Sequence, residues 1–538
     1  MTARQPVPPA PAPLEAYAQE FDALFGKRNQ REGVRQYLAA LLAPSERNKT
    51  LTALVNAAPI EGAQEARVQA LQWFLSESTW DAAAVNARRL DLLRAEPLTA
   101  PDEHGVLVID EHGDRKWGAK TAHVGKQYLG NLGKVDYGVV SVSSLWADEG
   151  VYYPIDVEPY TPAHHFPKGK ADPAFRTELQ LAVELAQRAH AAGLPFRAVV
   201  ADAFYGKEAS VQQGLDELGV GYVLALPPSH GWWHRAGQIG GLQDAARAAG
   251  WQDAERPGRW TRLERRFRDG HRETWWALEV EAGPYGPEQF QRVVVATTDP
   301  KTLPERTTWY VVTNLPAPGA QRARGCPRAP ADLAEVVRLF GLRMWVEQSY
   351  KQVKYALGWG EYQVRGDTAI RRHWILVWCA FSFCWLHQRD SAAPSTDPAQ
   401  PVESVPDAPA TPAGASGGKN QRPAGQSATP AQRLLAGGPA RGAGLAGTMD
   451  HALALLEGVV AAAPAPPATD AARPPLAGPR DQPLCRSLTA VNKVPISKRH
   501  LGSLDVDRGY TAAKKVNLSG RPRQSAGPAR PCGSSSPD

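Results

Sequence analysis

Two short apolar runs constrain this chain more than any other feature: Val106-Leu107-Val108-Ile109 and Arg197 to Ala201, each followed at once by an aspartate, Asp110 and Asp202. Such runs predict strands buried on both faces, which occur where helices cover a sheet. A carboxylate at the C-terminal end of a buried strand stands where α/β folds commonly place reactive groups. One alone is weak evidence, because Asp accepts backbone N–H bonds well and often ends a strand as a turn or cap residue. Two in the same context, each leading toward a Gly-containing turn, are harder to dismiss.

The flanking pattern predicts the rest of a sheet. Tyr137 to Trp146 and Val151 to Val157 flank Ala147-Asp148-Glu149-Gly150, a hairpin signal, and the polar, Gly-rich stretch Glu111 to Lys134 reads as an excursion between strands. Pro173 to Ala192 and Lys207 to Leu218 have helical character, and Tyr222 to Leu226 reads as a further strand. The order strand, strand, strand, helix, strand, helix, strand predicts a mixed α/β sheet rather than a doubly wound one. Upstream, Val34, Leu38, Leu41 and Leu42, then Ala70, Leu71, Phe74 and Leu75, recur at helical spacing. Lys27, Arg28, Arg31 and Arg35 in that region form either a solvated helix face or a DNA-contacting one. Downstream, strand-like pieces at Trp275 to Val280, Arg292 to Ala296 and Trp309 to Thr313 suggest a β-rich insertion. Its paired tryptophans, Trp232 with Trp233 and Trp275 with Trp276, read as packing more readily than as platforms for a base. Ala331 to Leu357 predicts one long helix, and Ile370 to Leu386 a second, strongly aromatic one.

Charge narrows the partners. The 538 residues carry a net +6, yet residues 1–390 sum to zero and the whole excess lies in 391–538. A nucleic-acid surface on the first 390 residues therefore requires local clustering. The five Cys have no CxxC spacing, Met1 to Leu14 has no apolar signal core, and no apolar run reaches 18 residues. These features predict a cytoplasmic protein with no membrane partner. His164 and His165 have no acidic or Cys partners at ligand spacing, and Cys379 and Cys384 read as core residues.

A third acidic group lies in the predicted helix Arg343 to Lys354. At 100° per residue Arg343, Glu347 and Lys354 project from nearly one face, which also carries Lys351. An i,i+4 ion pair on a solvated helix would explain Arg343 and Glu347, but not a polar stripe set among Val336, Leu339, Leu342, Val346 and Val353. Carboxylates converging from two strand ends and a helix would form an oxygen-donor site suited to Mg²⁺ or Mn²⁺.

Taken together, the segments Val108-Ile109-Asp110-Glu111, Lys126 to Gly130 with Leu132 to Val135, Val200 to Gly206 and Glu347 to Lys351 resemble the DDE superfamily endonuclease branch of bacterial insertion-sequence transposases. Arg343, Glu347 and Lys354 keep the R-x3-E-x6-K spacing of that group, while Phe340 stands where the broader signature has Tyr, so a hydroxyl contact to DNA phosphate is lost or supplied elsewhere. The resemblance covers roughly residues 15–390. It implies a ribonuclease-H-like mixed sheet with a β-rich insertion before the Glu, preceded by a helical domain. The expected organisation is a disordered 1–13, a helical candidate DNA-binding domain at 14–98, a catalytic core at 99–229 and 331–390, the insertion at 230–330, and a Pro/Ala/Gly-rich, mostly disordered tail at 391–538 with a short helix at His451 to Ala461.

The function implied is cleavage of element ends and their joining to target DNA by two-metal-ion phosphoryl transfer. Asp110, Asp202 and Glu347 would hold two Mg²⁺ or Mn²⁺ ions. Arg343, Lys351, Lys354, Arg371 and Arg372 would contact DNA phosphates. The partners implied are the terminal inverted repeats and target DNA, met by a homodimer at the nucleoid. Two other readings stay open: a catalytically silent transposase-derived DNA-binding protein, and a metal-dependent nuclease without strand transfer.

Overall fold

The computed structural model describes residues 12–45, 47–234, 239–267, 270–283 and 291–392. The expectations for residues 1–11 and for the tail beyond 392, including the helix at 451–461, lie outside the described residues. The elements run α1 Ala12–Gln19, α2 Arg28–Leu42, α3 Leu51–Leu54, α4 Ala66–Ser76 and α5 Ala82–Ala95, then β1 Val106–Arg115, β2 Gly125–Leu129, β3 Lys134–Ala147 and β4 Tyr152–Tyr160. Next come α6 Glu178–Ala191, β5 Ala198–Ala201, α7 Ala203–Gly206, α8 Ala209–Glu217 and β6 Tyr222–Ala225. The following segment holds β7 Gly231–His234, β8 Ile239–Gly241, α9 Leu242–Arg247, β9 Thr261–Arg266, β10 Arg272–Gly283, β11 Gln291–Thr297 and β12 Thr308–Thr313, before α10 Leu333–Gly341, α11 Met344–Tyr355 and α12 Asp367–Ala392.

The fold is the mixed α/β one expected. Val106–Ile109 lies parallel to Ala198–Ala201 in register, while β1 runs antiparallel to β3 on its other side. Among the described residues the sheet order is β2-β3-β1-β5-β6-β12-β11-β10-β7-β8, with β4 on β3 and β9 on β10. The strands after β6 therefore continue the sheet that carries Asp110, through the antiparallel pair β6–β12.

Three details depart from the sequence reading. β1 does not stop at Ile109 but runs on to Arg115. His112 and Asp114 are buried there because they bond each other, His112 Nε2 to Asp114 Oδ1 at 3.1 Å, so a polar stretch behaves as strand interior. Within the supposed excursion, residues 125–129 form β2, paired to residues 134–138 of β3. The predicted long helix breaks into α10 and α11 after Gly341, where the Leu342 N–H is shared between the carbonyls of Arg338 and Leu339 at 3.3 Å each. A Cβ at position 341 would lie 2.5 Å from the Arg265 guanidinium, so a larger residue there would displace that side chain.

The N-terminal helices are fastened to the rest through α12, and basic residues make the joints. Arg89 is fully buried and donates to Ser382 Oγ at 3.0 Å and to the Pro154 carbonyl at 2.8 Å. Arg372 donates to the carbonyls of Leu75 and Trp80 at 2.8 and 2.6 Å. His373 Nδ1 shares a 2.7 Å hydrogen bond with the Tyr37 hydroxyl, and Tyr17 donates to the Cys379 carbonyl. Cys379 and Cys384 are core residues. In α2, Arg31 caps the Phe25 carbonyl and Arg35 pairs with Glu15 and Asp22, so these two serve packing, while Lys27 and Arg28 are exposed. No helix of the described residues is long and apolar enough to cross a membrane.

Candidate active site

The register Ile109 opposite Ala201 makes Asp110 and Asp202 the next residues on two adjacent parallel strands, so both emerge at one edge of the sheet. Asp110 is buried, with its Oδ1 accepting the Glu111 N–H at 2.9 Å. Asp202 caps the short α7, accepting the Phe204 N–H at 2.9 Å. Burial pushes the Asp110 carboxyl well above the usual carboxylate range; Arg343 opposes that, while the charges of Asp202 and Glu347 reinforce it.

α11 brings up the third carboxylate and one cation. Arg343 Nη2 lies 3.7 Å from Asp110 Oδ2, and its Nη1 lies 3.2 Å from Glu347 Oε1. Burial works against the Arg343 charge, but Asp110, Asp202 and Glu347 together hold the guanidinium more firmly protonated than usual. Asp110 and Glu347 thus share one cation, with Asp202 at the adjacent strand end. Glu347 itself is mostly solvent-exposed, at 64% for its side chain. Among the described residues no three His, Cys, Asp or Glu side chains are gathered closely enough to bind a metal ion.

The other basic residues of the sequence reading are placed differently. Lys354 Nζ sits 3.8 Å from Asp114 Oδ1, and burial pulls its pKa down. Lys351 is exposed. Arg371 bonds Asp367 and Glu158 at 2.7 Å each, and Arg372 is buried against carbonyls. Arg371, a third exposed, is thus engaged by two carboxylates, and Arg372 by backbone carbonyls. Phe340 packs edge-on against Trp309 with ring centroids 5.1 Å apart, an apolar use of the position where the signature has Tyr.

Two residues quoted earlier only within motifs have a place here. Tyr350, one turn beyond Glu347 on α11, donates its hydroxyl to the Asp110 carbonyl at 3.0 Å and bonds Ser143 Oγ at 2.6 Å, tying the helix to β1 and β3. The i,i+3 spacing from Glu347 was the available signal. Glu111 is the second. Its Oε2 is buried without a hydrogen-bond partner, and burial, followed by the charges of Asp202, Glu178 and Asp110, pushes its carboxyl strongly up.

Comparison with known proteins agrees with this geometry. Residues 20–297 match the family model described as DDE superfamily endonuclease. The chain is also 30% identical over 367 residues, 67% of its length and 84% of the relative's, to a protein of Microchaete diplosiphon named as the probable transposase for insertion sequence element IS701. The paired strand-end aspartates, the acidic helix behind them and these two likenesses place the chain in one family: it belongs to the DDE superfamily endonucleases, as an insertion-sequence transposase.

Proposed function

We propose that this transposase cleaves the ends of an insertion sequence and joins them to target DNA by phosphoryl transfer, with Asp110, Asp202 and Glu347 holding two Mg²⁺ or Mn²⁺ ions. The observation that carries the proposal is the pairing of Asp110 and Glu347 with one guanidinium, that of Arg343, beside Asp202 at the adjacent strand end. An all-oxygen donor set drawn from two strand ends and a helix fits a hard divalent cation. Bound there, the ions would lower the pKa of the attacking water or 3′-hydroxyl and offset charge on the leaving oxygen.

The protein's own residues supply position. Tyr350 holds α11 against the backbone of Asp110, and Trp345 stacks on Tyr152 with centroids 4.7 Å apart, so the stem of Glu347 is anchored while its carboxylate faces solvent. Release of Glu347 by Arg343 would let the carboxylate turn toward Asp110 and leave the guanidinium facing a phosphate. Lys351, exposed on the same helix, is suited to a neighbouring phosphate. Lys354 acts through Asp114, orienting β1. Two copies working at the nucleoid would bring together two element ends.

The test is Mg²⁺-dependent cleavage of duplexes carrying the DNA that flanks the gene, with strand transfer scored in the same reaction. Wild type should yield both products and Glu347→Gln neither. Cleavage without joined product would reduce the function to that of a nuclease. Equal cleavage by Glu347→Gln would refute the assignment of the site.

A further inference from the structure

The ribbon formed by β1, β2 and β3 beyond Asp110 has no part in the site described. β1 and β3 stay paired for five residues past Asp110, to Arg115 opposite Gly138, whereas β5 ends at Ala201. The ladder thus projects roughly 17 Å past the catalytic edge at about 3.4 Å per residue. Directly opposed residues on neighbouring strands share a face. The pairs Asp110–Ser143, His112–Ser141 and Asp114–Val139 therefore lead along the face that bears Asp110 toward Tyr137, which lies opposite Lys126. Near Asp110 that face is covered by α11. The cover ends where Lys116 Nζ donates to the carbonyls of Gly360 and Tyr362, at 2.8 and 3.0 Å.

Past that point Trp117, Lys120, Lys126 and Tyr137 are exposed, while Thr121, His123 and Val124 stay buried. Tyr137 is 52% exposed on this face; on the other, Trp117 is 78% exposed with the Arg115 guanidinium 3.9 Å over its ring. Residues 115–137 contain five Lys or Arg and a single acid, Asp136, which is already paired with Arg115 at 3.1 Å and Lys134 at 3.6 Å. Lys120 and Lys126 are exposed. In a segment 1–390 whose net charge is zero, this is a local cationic excess. An apolar partner would leave those cations desolvated, whereas a polyanion uses them, and an exposed ring paired with a lysine, Tyr137 opposite Lys126, suits a sugar-phosphate surface.

We infer that the tip of this ribbon is a docking surface for duplex DNA, with Lys120 and Lys126 contacting backbone phosphates and Tyr137 packing against the sugars. The inference rests on the reading that the Asp110 edge cuts DNA. A duplex lying along the ribbon from that edge would be gripped about five base pairs from the scissile phosphate, at roughly 3.4 Å per base pair.

The test uses the full chain, its Lys120→Ala/Lys126→Ala variant and the corresponding double Lys→Arg variant. Binding to a fluorescein-labelled 30-base-pair duplex is followed by anisotropy over a salt series, with thermal unfolding confirming an unchanged fold. Removing two phosphate contacts should lower the slope of log K against log salt by about 2 and weaken binding about tenfold at low salt, and the double Arg variant should restore both. Hydroxyl-radical footprinting should lose protection about five base pairs from the cut and keep it at the cut. Unchanged affinity and slope would overturn the inference. So would unchanged DNA binding with altered self-association in sedimentation, which would make the ribbon a contact between copies of the chain. Glu347→Gln separates the two readings: if it still cleaves, the catalytic assignment fails, while the ribbon's salt slope stands or falls by itself.

Discussion

The α12 junction and the Asp110 edge bury charged groups to opposite ends. At the junction every cation has matched acceptors: Arg89 meets Ser382, Asn86 and the Pro154 carbonyl, and Arg372 meets the carbonyls of Leu75 and Trp80. At the edge, Asp110 and Glu347 share a single guanidinium beside Asp202, and Glu111 keeps a buried oxygen without a hydrogen-bond partner. A buried charge with complete hydrogen bonding is scaffolding, because its desolvation cost has been offset locally. Carboxylates crowded beyond their cations remain under mutual repulsion, and such an arrangement persists where a cation or a reaction uses it.

The contrast can be broken most sharply by neutralising one member on each side. Asp110→Asn should reduce DNA cleavage by at least about a thousandfold, the several kcal/mol that an ion-holding oxygen supplies to phosphoryl transfer. Its unfolding midpoint in denaturant should be unchanged or higher, since a crowded carboxylate has been removed. A marked loss of stability would mean that Asp110 is structural. Arg89→Met should do the reverse, lowering unfolding free energy by about 3 kcal/mol as its buried acceptors are orphaned. If the folded fraction of that variant cleaved DNA poorly at saturating metal, the junction would not be mere scaffolding.

A pH scan sharpens the junction side. Burial holds His373 down at about 4, below the roughly 6.5 of an unfolded histidine. The unfolded chain then takes up a proton that the folded one refuses, so this site's stability is complete above about pH 6.5 and is lost as pH falls toward 4. The loss amounts to about 3 kcal/mol. Urea unfolding at pH 7.5 and 5 should show a steeper fall for wild type than for His373→Asn, and parallel curves would contradict it. The smallest effect belongs to Lys351→Ala. An exposed phosphate contact on α11 should cost a few-fold in DNA affinity and reduce the salt slope by about 1, with no change in stability.

Much of this was legible in the chain, and the limits have physical causes. The apolar runs before Asp110 and Asp202 announced two buried strands because periodicity is local. The segment 111–115 did not, since His112 and Asp114 satisfy each other only once β3 is alongside. The break after Gly341 brings that glycine against Arg265, 76 positions away in the chain, and no local pattern reports such a contact. The likeness to insertion-sequence transposases was carried by motif residues that need no tertiary knowledge.

Residue types and spacing by themselves determined the class of sheet, the family and the three carboxylates proposed for catalysis. Only the tertiary structure decided which cations remain available to a polyanion. Arg371 and Arg372 look on paper like Lys126 and Lys351, yet the first two are consumed by Glu158, Asp367 and backbone carbonyls while the other two face solvent. A charge is free or spent according to what the rest of the chain packs against it, and that is a property of distant neighbours rather than of the residue.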